Sequence, residues 1–207
     1  MLSLTQNLKT SYWYKGKEYP LDLSFDNVLR FYELLDDDHF TADEKVAVAF
    51  EMFFNFPATK TEDINFVVTA FDEISRYLAQ TPYDTGESDE DMNGQPVPPA
   101  PKAYSFKQDA EAIYASFRQQ YGINLLHEQG KMHWDEFKAL FAALGPDTYF
   151  QRIVDIRTRD TSDLKGSVLA DVIAAKQAYE LEENKTEQAK QNQLAGFMST
   201  LKSWATS

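Results

Sequence analysis

Residues 123–157 read INLLHEQGKMHWDEFKALFAALGPDTYFQRIVDIR. Trp134, Phe137, Leu140, Phe141 and Leu144 recur at helical spacing. Gly145 then predicts a helix end, and Pro146-Asp147 predicts the start of the next helix. Tyr149, Phe150, Ile153 and Ile156 form the second stripe. So short a break favours an antiparallel pair of helices. This stretch sets the fold class: mainly α, one or more helical bundles, with a small β-hairpin at the N-terminal end.

The hairpin is read from residues 12–25, YWYKGKEYPLDLSF. Its aromatic residues favour strands, and Lys15-Gly16 supplies the turn. Pro20 limits the second strand to a short or edge position. Ser24 is a candidate N-cap for a helix striped by Val28, Phe31, Tyr32 and Leu35 and ended by Asp36-Asp37-Asp38. That acidic triplet lacks the alternating ligands, the turn glycine and the distal glutamate of a calcium loop. Thr41 and Glu44 make a capping box ahead of Val46, Ala49, Phe50, Phe53, Phe54 and Phe56. Thr59 and Glu62 make a second, ahead of Ile64, Val67, Val68, Phe71, Ile74 and Leu78. Three amphipathic helices can close a core, which predicts a domain over residues 1–80.

Residues 81–101 are rich in proline, glycine and acid and show no period, which predicts a linker. A second helical domain is expected over 102–207. Ser105 to Gln108 predicts a third capping box, for a helix with Ile113, Tyr114, Phe117 and Tyr121 and with Gly122 at its end. Val168, Leu169, Val172, Ile173 and Tyr179 mark a later helix. Residues 182–193 are almost wholly polar. Behind them Leu194, Phe197, Met198, Leu201 and Trp204 form a last stripe, which needs a groove on its own chain or on a partner.

The chain has 207 residues, no cysteine and a net charge of -13. The acidity opposes binding to nucleic-acid phosphates and to anionic membranes. No run of about 18 apolar residues predicts a membrane span. Without cysteine there is no thiolate ligand, cysteine nucleophile or disulfide. Phosphate-binding, dinucleotide-binding, zinc-protease and serine-hydrolase motifs are absent from the sequence. His127 and His133 match no common metal spacing, and a capping or core role is expected of them instead. The expectation is therefore a binding protein with no catalytic residue, metal or cofactor. Trp134, Phe137, Phe141, Tyr149 and Phe150 have two readings. Aromatic stripes usually pack inward, but Trp and Tyr also dominate interface hot spots. Together with Arg157, Phe197, Leu201 and Trp204 they are the candidate partner-binding residues.

The pattern MHWDEFKALFAALGPDTYFQRIVDIR carries a resemblance. Its ordered features are His133, Trp134, Phe137, Leu140, Leu144, Pro146, Asp147, Thr148, Ile153, Val154, Ile156 and Arg157. Gly16-Lys17-Glu18-Tyr19, Glu44-Lys45 and Phe53-Phe54-Asn55-Phe56-Pro57 add to it. In these the chain resembles the phage gene-product-fifteen family of siphophages and prophages of Gram-positive hosts. The resemblance implies a tail assembly chaperone acting in the host bacterial cytoplasm. Such a protein would bind the tape measure protein, help recruit the major tail protein that builds the tube, and be absent from the finished virion. Self-association is a further expected contact. The alternative it implies is a structural tail or connector component retained in the virion. The family brings no established catalytic residues.

Overall fold

In the computed structural model, residues 2–56, 63–80 and 102–184 are described. The expected linker 81–101, the Thr59–Glu62 box and the last apolar stripe lie outside them. The fold is mainly α with an N-terminal two-stranded hairpin. β1 (Ser11–Tyr14) and β2 (Lys17–Pro20) are followed by α1 (Phe25–Asp36), α2 (Ala42–Phe54) and α3 (Ile64–Ala79). Then come α4 (Ala110–Tyr121), a 3-10 turn (Leu125–His127), α5 (Trp134–Ala142), α6 (Tyr149–Thr158) and α7 (Gly166–Ala178).

The chain divides into two compact units, and neither is continuous in sequence. One takes Met1–Ser88 with Asn124–Ala143; the other takes Asp89–Ile123 with Leu144–Ser207. Beside the expected domains 1–80 and 102–207, this grouping takes Asn124–Ala143 with the N-terminal residues. α5 belongs to the first unit and α6 to the second.

In the first unit the hairpin turn holds Lys15 at φ 47° and Gly16 at φ 77°. Positive φ at both central residues matches the strand twist of a two-residue hairpin. Tyr14 and Lys17 flank the turn and form the hydrogen-bonded pair, so the pairs alternate outward. Pro20 lies opposite Ser11, three pairs along, where no ladder hydrogen bond is required of it. Tyr12 and Tyr14 face α3: their hydroxyls donate to Thr69 Oγ1 and Asp63 Oδ2, both at 2.9 Å. Trp13 faces the other way and is 64% exposed.

Phenylalanines fill the core under the hairpin. Phe50 packs on Phe54 at 4.7 Å and on Phe66 at 5.5 Å between ring centres. Phe66 also meets Tyr19 at 4.6 Å. The stripes are rotated slightly from expectation. On α3 the buried face is Phe66, Val67, Ala70, Ile74 and Leu78, and Ile64 and Val68 point outward. On α1 Leu34 is buried and Leu35 exposed, and Val46 on α2 is exposed. The hairpin sets this rotation: Tyr14 and Tyr19 both pack at a tilt against Phe66 and draw it inward.

α2 opens with the expected capping box between Thr41 and Glu44. α4 begins at Ala110, later than the Ser105 box predicts, because Asp109 is the N-cap. Ser105 Oγ does accept the Gln108 N–H, but over a single turn that precedes the helix. α6 is capped by Thr148 rather than started by Pro146-Asp147. Gly145 has ordinary negative φ and donates its N–H to Gln120 Oε1 at 2.7 Å. Gly122, at φ 70°, ends α4 as the sequence predicts.

Truncating Phe50, which is fully buried, should cost about 3–5 kcal/mol of unfolding free energy. Ile64→Ala, at a site 69% exposed, should change it by no more than about 0.5 kcal/mol. Urea unfolding of the two variants measures both, and equal losses would contradict this packing.

Candidate functional site

Trp134 and Phe137 are 4% and 1% exposed. α5 is seated in the first unit by its backbone. Trp134 N–H donates to Leu23 O at 2.8 Å, and Phe25 N–H donates to Met132 O at 3.0 Å, forming an antiparallel bridge between Ser24 and His133. Asp26 Oδ1 accepts the Gly130 N–H at 2.7 Å. Phe137 then stacks on Phe25 at 4.9 Å and on Trp134 at 5.6 Å, and the half-buried Phe141 continues the stack at 5.8 Å.

His133 caps α5. Its Nδ1 accepts the Asp135 N–H at 3.1 Å while Nε2 faces Lys9 O at 3.0 Å, which fixes the proton on Nε2. Glu136 returns a bond to the His133 N–H, completing a capping box. A histidine here takes the place of the usual Ser, Thr, Asp or Asn cap. The role also accounts for His133 without a metal, and no group of three potential metal ligands occurs among the described residues. Tyr77 donates to the buried Asp135 Oδ2 at 2.5 Å. Burial, then that carboxylate, hold the Tyr77 hydroxyl well above its ordinary pKa. It therefore stays a neutral donor.

In the second unit Phe150 is 2% exposed and packs in the core with Phe117 and Ile153 buried nearby on α4 and α6. Ser116 is fully buried. Its hydroxyl donates to Ala112 O at 2.7 Å and accepts the Phe150 N–H at 3.0 Å, satisfying a donor that the first turn of α6 leaves free. Nothing in the sequence pattern marks this serine.

Arg157 is an internal clasp. Its guanidinium grips Asp109 through Nη1–Oδ2 at 2.6 Å and Nη2–Oδ1 at 2.7 Å. It also donates to Tyr179 O at 2.5 Å and Ala103 O at 3.2 Å. Both charged side chains are below 10% exposed, at 7% and 4%. One side chain thus joins α6 to the N-cap of α4, the C-cap of α7 and the segment before α4. A fork with several fixed donors suits that task and a lysine does not.

Tyr149 is different: it is 41% exposed. The Tyr179 hydroxyl beside it, by charge and then by hydrogen bond, raises its pKa, with burial adding to the effect. That contact places Tyr149 at the C-terminal end of α7. α7 itself reads GSVLADVIAAKQA and has no buried residue. Val168 and Ile173 are 53% and 43% exposed, while Leu169 and Val172 are half-buried. A helix this apolar normally loses one face to a core. Here the arc facing α6 is only partly covered. Of the sequence-predicted residues, Trp134, Phe137 and Phe141 meet in the first unit, and Phe150 and Arg157 support the second. Phe197, Leu201 and Trp204 lie outside the described residues. The exposed apolar residues of α7 are absent from that set because their stripe reads as core.

A family model described as Bacteriophage Gp15 protein matches residues 4–181. The chain belongs to that family. The match takes in both compact units and supports a part in bacteriophage structure or morphogenesis. No curated protein and no solved structure matches the chain. Among the described residues no helix is long and apolar enough to cross a membrane.

Removing the clasp should be costly, because it leaves Asp109 buried without its counter-charge. Arg157→Ala should lower stability by about 3–5 kcal/mol. Arg157→Lys should recover less than half of that, because it cannot reach the four acceptors. Thermal or urea unfolding checks this, and full rescue by lysine would contradict the fork geometry.

Proposed function

We propose that this protein is a phage tail assembly chaperone that binds the tape measure protein through helix contacts and helps recruit tail-tube subunits, the major tail protein, in the host bacterial cytoplasm. It acts by binding and performs no catalysis. The observation that carries the reading is α7: thirteen residues, mostly apolar, with none buried. Tyr149 extends that surface at one end.

Physical chemistry supports it in two ways. A tape measure is a long amphipathic helical chain, and its bare apolar stripe aggregates. An exposed apolar helix is the complement such a stripe requires, since helix-in-groove recognition proceeds through anchors at helical spacing. The net charge of -13 then keeps a complex dissolved while apolar surfaces are being matched. The family match supports the phage setting. Trp134 and Phe137 are spent on the core, so α7 and Tyr149 supply the anchors instead.

Co-expression with the tape measure protein encoded beside this chain tests the proposal. The wild-type chain should raise the soluble tape measure fraction several-fold and co-purify with it. The Val168→Asp, Ile173→Asp double variant should keep its helical content, since both sites are exposed, and lose the effect. No gain with the wild-type chain would contradict the proposal. Recovery of the chain from purified virions by mass spectrometry would assign it instead to the tail structure.

A further inference from the structure

α7 leaves an apolar surface uncovered, and the chain carries a matching apolar segment a short distance further on. We propose that residues 194–204, Leu194 to Trp204, dock on the exposed apolar face of α7 in the free protein.

The reasoning starts at the helix. At about 100° per residue, Val168, Leu169, Val172, Ile173 and Ala175 share one arc of α7. The middle of that arc, Leu169 and Val172, is half-buried, while Val168 and Ile173 at its two borders stand about half exposed. A partner lying alongside α7 could cover either border.

The departure point of the chain comes next. Tyr179 caps α7, and its carbonyl is held by Arg157. Leu181 is fully buried. Gln108 then brackets the backbone, donating to Glu180 O at 3.0 Å and accepting the Glu182 N–H at 3.1 Å. Asn184 pairs with the Lys102 backbone, through Oδ1 at 3.2 Å and Nδ2 at 2.8 Å. The chain is therefore pinned five residues past the α7 cap. From Asn184 to Leu194 about ten residues span about 15 Å as helix and up to about 35 Å when extended. α7, with 13 residues, is about 20 Å long. The tether reaches the whole face.

The chemistry of the two surfaces agrees. Leu194, Phe197, Met198, Leu201 and Trp204 fall at steps of three and four, one face of a helix. The only charged side chain in 194–207 is Lys202, in a chain of net charge -13. The α7 lysine, Lys176, is turned inward onto Arg157 O at 3.0 Å, whereas the α7 acid, Asp171, is exposed. So the segment's one charged side chain, Lys202, has an exposed acid on α7, Asp171, to meet. A tether this short also gives an effective concentration of about millimolar, so even a weak contact is populated. The docking concerns the free protein alone and does not depend on the proposed client.

Because the chain has no cysteine, introduced pairs report without background. Full-length variants carrying Val168→Cys or Ile173→Cys with Phe197→Cys or Leu201→Cys should form an intramolecular disulfide under mild oxidation. At least one pair should close about tenfold faster than a control joining Ile64→Cys to Phe197→Cys. Ile64 is 69% exposed in the other unit. Rates equal to the control, or bridges found only between two chains, would overturn the proposal. A second reading uses no cysteine: the Phe197→Asp, Leu201→Asp variant should speed amide exchange in α7 about tenfold. Unchanged α7 exchange would overturn it as well. Neither outcome alters what co-expression reports about the tape measure.

Discussion

The structure depends on a backbone closure between residues far apart in sequence. The strand-like segment before α1 pairs with the segment before α5, Leu23 and Phe25 bonding to Trp134 and Met132. More than a hundred residues separate the two sides. Closing so long a loop costs more entropy than a local contact would, though the cost grows only slowly with length. The stack of Phe25, Phe137 and Trp134 offsets it by taking three large rings out of water at one place. His133, Asp26 and Tyr77 then satisfy the polar groups that this burial strands. Once α5 is committed to the first unit, the chain must leave the second unit at Ile123 and return to it at Leu144.

That commitment decides which aromatic surface is available for binding. The rings that look most like an interface in the sequence, Trp134 and Phe137, have nothing left to offer a partner. Arg157, a natural anchor for an acidic partner, is consumed by Asp109 and by the carbonyls of Tyr179 and Ala103. Among the described residues α7 stays partly open, a plainer helix built largely from valine, leucine, isoleucine and alanine. In the proposed role, the largest side chains build a rigid frame and the medium-sized apolar groups of α7 are left for a helical client.

Much of the fold was legible because local signals act within one turn. The Thr41–Glu44 box, Gly122 and the Lys15-Gly16 turn each rest on a backbone requirement that few residues meet. Two features were beyond local reading. The rotation of α3, which buries Phe66 and exposes Ile64, is set by tyrosines fifty residues upstream. The placement of α5 is set by a backbone pairing with no side-chain signature. For the candidate surface the same limit applies: Val168 and Ile173 are identical to core residues in pattern, and only the missing neighbour distinguishes them. A buried serine was missed for a related reason, since its partners are brought together only in three dimensions.

Residue-resolved amide exchange on the intact protein tests the shared closure most directly. The account predicts that the amides of Phe25 and Trp134 exchange only with the opening that also releases Phe53 on α2, with one common free energy. Protection of Trp134 that instead follows the amides of α6, or that falls to the level of exposed loops, would contradict it.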